Sequence, residues 1–406
     1  MTPHLTPSRE RWLLFTLAGI QFTHILDFMI MMPLGPQFTA LFGISNAQFG
    51  LLVSAYTLSA GLSGLMAATY IDRFSRKRLL LTMYPLFGLA TLACGLAPDY
   101  ASLMVARVAA GLFGGILSAL SQTIVADVVP FERRGRAMSV VMTSFSVSTV
   151  AGVPASLFLA AHLSWHAPFF GIALLVGLLS FGAWQSLPRL DEHLHHPERT
   201  GVWRSIGQVL AEPNHLKAFC VSGLMMFAGF TVIPYITIYL QSNAGMKASE
   251  VPWMYLLGGV ATLVSARYFG LLTDRLGKVL VFQRLAVALG LPLMATTLSQ
   301  GLPLWCLLLI STSLFTVMSG RMIPGMAMIS SAVEPRLRGT FMTLNSAVQS
   351  ASMGSAALVA GLIVGRNEQG QLTLYWVAGL LGVGASLLSA WLAGRLRLQS
   401  GPTVRV

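Results

Sequence analysis

The sequence predicts an all-α membrane protein with twelve transmembrane helices, arranged as two six-helix bundles related by a pseudo-two-fold axis. Three observations predict this fold class: an apolar composition, twelve long apolar segments, and connections that are alternately rich and poor in Lys and Arg. Apolar types make up 55% of the 406 residues, charged types 10%, and the mean hydropathy is +0.70. Soluble domains carry roughly 25% charged residues, so this composition excludes a soluble domain.

The twelve apolar segments are each about as long as a helix needs to cross a hydrocarbon core of about 30 Å. No small-residue cleavage site follows the first segment, so we expect it to remain as a transmembrane helix. We place the helices at residues 12–33, 47–71, 78–97, 100–128, 135–163, 166–187, 215–242, 249–273, 278–300, 303–331, 338–364 and 372–395.

The Lys and Arg residues predict how these helices are oriented. Of the 26, 21 lie in the termini, loops and adjoining helix ends of one side, and Lys247 and Arg366 lie on the other. The remaining three, Arg107, Arg267 and Arg321, fall inside helices. Because cytoplasmic loops collect positive charge, we expect a multi-pass protein of the bacterial inner membrane with both termini in the cytoplasm. The net charge of +12 therefore reflects membrane topology, and no nucleic-acid partner is expected.

A repeat indicates that the chain is a duplicated six-helix unit. An acidic-basic pair after helix 2 recurs 202 residues later, and an Arg-Gly pair after helix 4 recurs 204 residues later. Two landmarks with nearly equal spacing favour duplication over the alternative, chance similarity of short basic loops. The landmarks are Asp72-Arg73 with Asp274-Arg275, and Arg134-Gly135 with Arg338-Gly339.

The duplication predicts three segments along the chain. Residues 1–187 form an N-terminal six-helix bundle, 188–214 a cytoplasmic linker, and 215–406 a C-terminal six-helix bundle. The linker contains the run His193-Leu194-His195-His196, but a His run alone lacks the rigid carboxylate or thiolate partners of a metal site, so we predict none. Residues 202–212 have the pattern of an amphipathic helix at the inner leaflet.

The loop after helix 2 carries a family resemblance. It reads Ala68-Thr69-Tyr70-Ile71-Asp72-Arg73-Phe74-Ser75-Arg76-Lys77 and resembles the Gly-x-Leu-x-Asp-Arg-x-Gly-Arg-Lys loop of the major facilitator superfamily, with Ala68 and Ser75 in place of both glycines. The second copy, Gly270 to Lys278, keeps its glycines. The resemblance covers the whole chain and implies the major facilitator fold. It also implies that these loops brace the bundles during conformational gating; the residues are Asp72, Arg73, Arg76, Asp274, Arg275, Arg134 and Arg338.

Two further motifs resemble those of drug/proton antiporters in that superfamily. The segment from Leu26 to Pro33, which contains Asp27, is similar to their first-helix motif. Arg107, followed by Gly111, is similar to a fourth-helix motif linked there to proton coupling. The fifth-helix antiporter motif departs from the pattern, since it survives only as Gly152-Val153-Pro154-Ala155-Ser156.

Asp27 is the acidic residue that falls clearly inside a predicted helix. Asp27 lies about 22 Å along its helix from Trp12 at the cytoplasmic edge, which leaves about 8 Å to the periplasmic edge of a core of about 30 Å. Arg107 lies about 10 Å from the periplasmic edge along the fourth helix, so equal depth is permitted. We predict an intramembrane pair whose state depends on protonation, because burial favours the neutral acid while a guanidinium favours the carboxylate. His24, one turn before Asp27, is predicted to relay protons or to bond the carboxylate. The alternative is a static pair that fixes helices 1 and 4.

Polar residues within the other helices are candidates for substrate contacts. Arg321, flanked by Gly320 and Pro324, suits a substrate carboxylate or phosphate, although bonding to carbonyls freed by Pro324 is an equally valid interpretation. Asn345 and Gln349 share a helix face, which predicts either ligand contacts or bonds to a neighbouring helix. The remaining candidates are Tyr56, Gln122, Tyr235 and Tyr239.

Three hypotheses about function compete at this point, two of them within transport. The leading hypothesis is a secondary transporter that exports a small amphipathic or drug-like molecule in exchange for protons by alternating access. The second is a sugar, amino acid or organic anion permease or exporter without multidrug promiscuity. The third is a receptor or intramembrane enzyme, against which stands the lack of a buried carboxylate pair, HExxH, GxSxG or GxxxxGK[ST] motif. We expect no enzyme activity, cofactor or metal, and a monomer whose partners are its substrate, protons and membrane lipid.

Overall fold

The structure is a computed structural model that describes residues 7–71, 74–129, 131–187, 202–334 and 336–398. It is almost entirely helical. The helices are α1 Pro7–Ile30, α2 Gly35–Leu41, α3 Asn46–Tyr70, α4 Arg76–Leu96, α5 Tyr100–Val128, α6 Phe131–Val147, α7 Val153–His162, α8 Ala167–Ser186, α9 Val202–Ala211, α10 Pro213–Phe230, α11 Ile236–Ser242, α12 Val251–Leu276, α13 Lys278–Ala288, α14 Gly290–Thr297, α15 Leu304–Ser331, α16 Arg338–Ile363 and α17 Tyr375–Ala393. A short hairpin pairs β1, Gly365–Arg366, with β2, Leu372–Thr373.

Within the described residues, twelve segments are long and apolar enough to cross a membrane. Three of them are interrupted by a break that contains a proline or lies within three residues before one. A π-helical turn, Ser148–Gly152, joins α6 to α7, a 3₁₀ turn, Ile233–Tyr235, joins α10 to α11, and α13 meets α14 just before Pro292. Proline lacks an amide hydrogen and crowds the preceding turn, which is why the helix breaks there. The predicted all-α fold with twelve transmembrane helices is confirmed.

The chain divides into two compact units, residues 1–198 with 248–256, and residues 199–247 with 257–406. In the first unit, α1 packs against α5, α6 and α8, while α3 and α4 both pack against α5. In the second unit, α10 packs against α16 and α17, and α13 packs against α15 and α17. Most of the predicted linker, residues 188–201, lies outside the described residues. Its described part forms α9, which packs on α10 and α16 with Val209 buried.

The start of α5 is fixed by a reciprocal cap. Asp99 Oδ1 accepts the Ser102 amide hydrogen at 2.8 Å, and Ser102 Oγ accepts from the Asp99 amide at 3.3 Å. The bond from the Ser102 amide holds the pKa of Asp99 below its ordinary value. The cap therefore stabilises α5 at neutral pH, and its contribution is lost as the pH falls through that lowered pKa.

Leu374 lies between the hairpin and α17 with φ of 59° and ψ of 14°, in the left-handed region. A side chain in this conformation costs about 1–2 kcal/mol. We expect Leu374→Gly to raise the free energy of unfolding by about 0.5–1 kcal/mol, after allowing for the greater freedom of glycine in the unfolded chain. Thermal unfolding in detergent measures this change in stability. Leu302→Gly is the control, because Leu302 has an ordinary φ and its replacement is expected to lower stability. A loss at both positions would contradict the strain at Leu374.

Candidate functional site

A buried ion pair joins α1 to α5. Arg107 Nη1 donates to Asp27 Oδ2 at 2.9 Å and to the Asp27 backbone carbonyl at 3.2 Å. Both side chains are completely buried. The structure therefore brings together the acid and the base that the sequence placed at similar depth. Two charges removed from water in this way are retained only because each compensates the other.

The pair does not use all of its hydrogen-bonding capacity. Asp27 Oδ1 and Arg107 Nε and Nη2 are buried and have no hydrogen-bond partner among the described residues. Two side chains of α4 lie beside the pair, Thr91 near Asp27 and Cys94 near Arg107. Buried polar atoms are normally satisfied, so this cluster of unsatisfied atoms makes the pair a candidate functional site. Asp27 Oδ1 is the atom that can accept a proton while Oδ2 still faces the arginine.

Tyr56 of α3 and His24 of α1 complete this cluster. The Arg107 guanidinium carbon lies 4.3 Å from the centre of the Tyr56 ring. The Tyr56 hydroxyl lies 2.6 Å from His24 Nδ1, and the two rings stack. The sequence predicts His24 on the Asp27 face of α1, but in the structure His24 Nδ1 bonds Tyr56. Tyr56 itself, predicted as a substrate contact, is buried within the first unit beside the ion pair.

Glycines of α5 let α3 approach closely enough to build the cluster. A Cβ at Gly111 would overlap Ser59 Oγ and the Tyr56 carbonyl oxygen. We expect Gly111→Ala to lower the free energy of unfolding by about 2–3 kcal/mol, because one of the overlapping atoms belongs to the backbone. Gly177→Ala in α8 is the control, since a Cβ there meets nothing within 4 Å, and it should gain about 0.5–1 kcal/mol. Equal thermal stability of the two variants would contradict the close α3–α5 packing.

The predicted fifth-helix motif begins at Gly152, the last residue of the π-helical turn, and continues into the first residues of α7. Ser144 donates to the Ala18 carbonyl at 2.6 Å and Ser148 to the Phe22 carbonyl at 3.2 Å, which fixes this turn against α1. A Cβ at Gly152 would lie 2.9 Å from Leu26 Cδ1. Pi-helical turns are rare in proteins overall, but those that occur are often found at functional sites. This segment therefore contacts the part of α1 that immediately precedes Asp27.

Arg321 bonds neighbouring helices, whereas the sequence offered it as a substrate contact. It is buried inside the second unit, where Nη1 donates to Ser386 Oγ of α17 at 3.2 Å and Nη2 donates to the Met225 carbonyl of α10. This geometry favours the structural interpretation. It also corrects one detail, because the bonded carbonyl belongs to Met225 on another helix and is not one freed by Pro324. Arg321 thus ties α10, α15 and α17 together.

The other predicted substrate contacts are scattered. Tyr235 is buried and donates to the Ala357 carbonyl at 2.8 Å, and Gln349 donates to Ser222 Oγ at 2.9 Å, so both bond neighbouring helices. Asn345 is buried, and its Oδ1 has no hydrogen-bond partner among the described residues. Tyr239 lines a cavity of about 170 Å³ with Tyr375 and Trp376, and Gln122 is exposed.

The predicted gating residues are only partly described. Asp72 and Arg73 lie outside the described residues, as does the side chain of Arg134 in α6. Arg76 is buried at the start of α4. Asp274, Arg275 and Arg338 are exposed at helix ends.

The sequence also missed an ion pair near these loops. Arg133 donates through both terminal nitrogens to the Glu10 carboxylate, at 3.2 and 3.1 Å. It links the first turns of α6 and α1. Nothing in the sequence separated Arg133 from its basic neighbours.

Sequence comparisons relate most of the chain to a family of transporters. The sequence model of the Major Facilitator Superfamily matches residues 17–358 and 218–404. Two proteins of Bacillus subtilis (strain 168), each named an uncharacterized MFS-type transporter, are 25% identical to it. YtbD aligns over 346 residues, 84% of this chain and 85% of its own, and YceJ over 366 residues, 89% of this chain and 88% of its own.

Solved structures show the same fold at low sequence identity. The crystal structure of a D-xylose-proton symporter has a TM-score of 0.76 at 17% identity and covers 95% of this chain and 97% of its own. A bacterial homolog of the human lysosomal transporter Spinster, inward-facing and unoccupied, has a TM-score of 0.68 at 14% identity. The match covers 98% of this chain and 100% of that protein's chain. Together with the twelve membrane-spanning segments, the match to the family's sequence model shows that this chain belongs to the Major Facilitator Superfamily and is a membrane transporter.

Proposed function

We propose that the protein exports a small amphipathic or drug-like molecule across the bacterial inner membrane in exchange for protons. The observation that carries this proposal is the completely buried Asp27–Arg107 pair with its unsatisfied Asp27 Oδ1. The first-helix and fourth-helix motifs that contain these residues resemble those of drug/proton antiporters. The loop charges support an orientation with both termini in the cytoplasm.

The proposed chemistry follows because Arg107 and a proton compete for the Asp27 carboxylate. When Asp27 is ionised, the charge-assisted bond to Arg107 draws α1 and α5 together. When a proton binds Asp27, the acid is neutral and the attraction to Arg107 weakens, so the α1–α5 contact is free to change. A conformational change that exposes the site alternately to the two sides then carries one proton per cycle, and substrate moves the other way.

Methionines of the second unit support an amphipathic cargo. Met318, Met322 and Met326 recur every fourth residue on α15, and all three are partly buried. Gln349 of α16 donates to Met326 Sδ at 3.4 Å and places one amide group among them. Unbranched, polarisable side chains adapt to apolar molecules of different shapes, which suits a transporter with a broad substrate range.

The test uses purified protein in lipid vesicles. A thermal-stability screen of amphipathic cations, neutral drugs, sugars, amino acids and organic anions first identifies a stabilising ligand, because binding to the folded state raises stability by mass action. Vesicles with an acidic lumen should then accumulate that ligand, and a protonophore should abolish the accumulation. Stabilisation by sugars, amino acids or organic anions alone would favour a permease without multidrug promiscuity. Flux that ignores the pH gradient would show that proton exchange is wrong.

A further inference from the structure

We propose that Tyr56, oriented by His24, is a second partner of Arg107. The face of the Tyr56 ring stabilises the guanidinium while Asp27 is protonated, and it thereby sets the pH at which the ion pair opens. The inference rests on the proposed proton coupling and adds a positioning residue to it. Tyr56 acts through Arg107 and takes no part in proton transfer itself.

The position of the Tyr56 ring is determined from several sides. Its centre lies 4.3 Å from the Arg107 guanidinium carbon, within the roughly 6 Å over which a cation is attracted to an aromatic face. Phe28 stacks on it with centroids 5.5 Å apart, and His24 with centroids 6.0 Å apart. The hydroxyl is held by His24 Nδ1 at 2.6 Å. The ring is therefore fixed beneath the guanidinium before any proton arrives.

Arg107 needs such a partner because its carboxylate is the group that changes charge. Removing the negative charge from Asp27 leaves a buried cation, which is costly unless something else compensates it. The negative face of an aromatic ring does so without being titrated itself, and the attraction is strongest when water is excluded. Tyr56 is buried, as are both members of the pair.

The other groups around the pair do not offer an equivalent partner. His24 comes from α1, Tyr56 from α3, and Thr91 and Cys94 from α4. Ser144 and Ser148, in the segment leading to α7, donate to backbone carbonyls of α1. Among the described residues, no second carboxylate interacts with either member of the pair.

Gly114 shows that α5 makes room for the two supporting side chains. A Cβ at this position would lie 2.7 Å from His24 Nδ1 and 2.8 Å from the Tyr56 hydroxyl. Both distances are shorter than side-chain contacts normally allow, so any larger residue would displace the hydrogen-bonded pair. Arg107 and Gly114 lie two turns apart on the same helix, which keeps guanidinium, ring and imidazole in one arrangement.

The test measures the protonation of Asp27 directly and needs no substrate. In lipid nanodiscs, infrared difference spectra recorded against pH give the carboxylic-acid carbonyl band of Asp27, identified by its absence in Asp27→Asn. Tyr56→Phe keeps the ring and should leave the midpoint of this band nearly unchanged. Tyr56→3,4,5-trifluorophenylalanine keeps the size but removes most of the negative ring face, and should shift the midpoint to acid pH by about one unit, a tenfold change in proton concentration.

Tyr84→3,4,5-trifluorophenylalanine is the matched control. Tyr84 is also a buried tyrosine of the first unit, but its hydroxyl pairs with Thr23 and its ring stacks on Phe87. Its midpoint should match that of the parent. Equal midpoints for the two Tyr56 variants, an equal shift at Tyr84, or no titrating Asp27 band would each overturn the proposal. A shift confined to Tyr56 in a protein whose flux ignores the pH gradient would instead retain the Tyr56 role and reject proton-coupled export.

Discussion

Replacing Arg107 with methionine is expected to lower the free energy of unfolding of the first unit by about 3–5 kcal/mol near neutral pH, because it leaves the buried Asp27 carboxylate without a counter-charge. The loss should be smaller in acid. A protonated, neutral Asp27 is tolerated in an apolar site. At neutral pH the folded variant must either bury an uncompensated carboxylate or take up a proton, whereas in acid the carboxyl is protonated in the unfolded chain as well and this cost disappears. Denaturant unfolding in detergent at several pH values measures both effects.

Two controls separate this effect from simple loss of packing. The double variant Asp27→Leu with Arg107→Met removes both charges and should recover most of the stability, since buried ion pairs are often replaced by apolar residues without loss. Arg321→Met removes the other buried arginine, which has no carboxylate partner among the described residues. It should cost much less than Arg107→Met, because it leaves no charge behind. A double variant as unstable as Arg107→Met would contradict this explanation.

Asp27→Asn is expected to abolish pH-driven accumulation of the transported ligand while the protein remains folded. A gradient of two pH units sustains a concentration ratio of up to about 100 for exchange of one proton, since each unit corresponds to about 1.4 kcal/mol. Without the titrating carboxyl, the ratio should fall to about one. Vesicle flux with the ligand found by the stability screen measures this ratio.

Asp99→Asn is the matched control for that experiment. Asp99 is an exposed carboxylate at the start of the helix that carries Arg107, and asparagine caps helices as well as aspartate does. Its accumulation ratio should equal that of the parent protein. If Asp27→Asn retains the full ratio, the proton is carried by another group and the ion pair is static.

The number and placement of the transmembrane helices were predictable from the sequence because hydrophobic length and loop charge are set by the membrane itself. The breaks were not predicted, although Pro154, Pro234 and Pro292 mark all three of them. A proline inside an apolar run is compatible with either a kinked or an interrupted helix, and packing against neighbouring helices decides between the two. The short hairpin before α17 was likewise missed, as it contains only two residues per strand.

The ion pair was predictable because charged residues inside a membrane are rare and depth along a helix is simple arithmetic. The roles of Tyr56 and Arg321 were not, since they depend on how each helix is rotated about its axis. Apolar side chains cover most of the surface of these helices, so the sequence carries little information about which side faces a neighbour. Thr91 and Gly114 were missed for the same reason, because their importance lies in what they contact on α1 and α3.

The central claim is that Asp27 exchanges a proton under the control of Arg107. Infrared difference spectra against pH, recorded on the parent protein, Asp27→Asn and Arg107→Met in nanodiscs, test it most directly. The account predicts a carboxylic-acid band that appears on acidification of the parent, is absent from Asp27→Asn, and persists to higher pH in Arg107→Met. A band that survives in Asp27→Asn, or one whose titration is the same with and without Arg107, would contradict it.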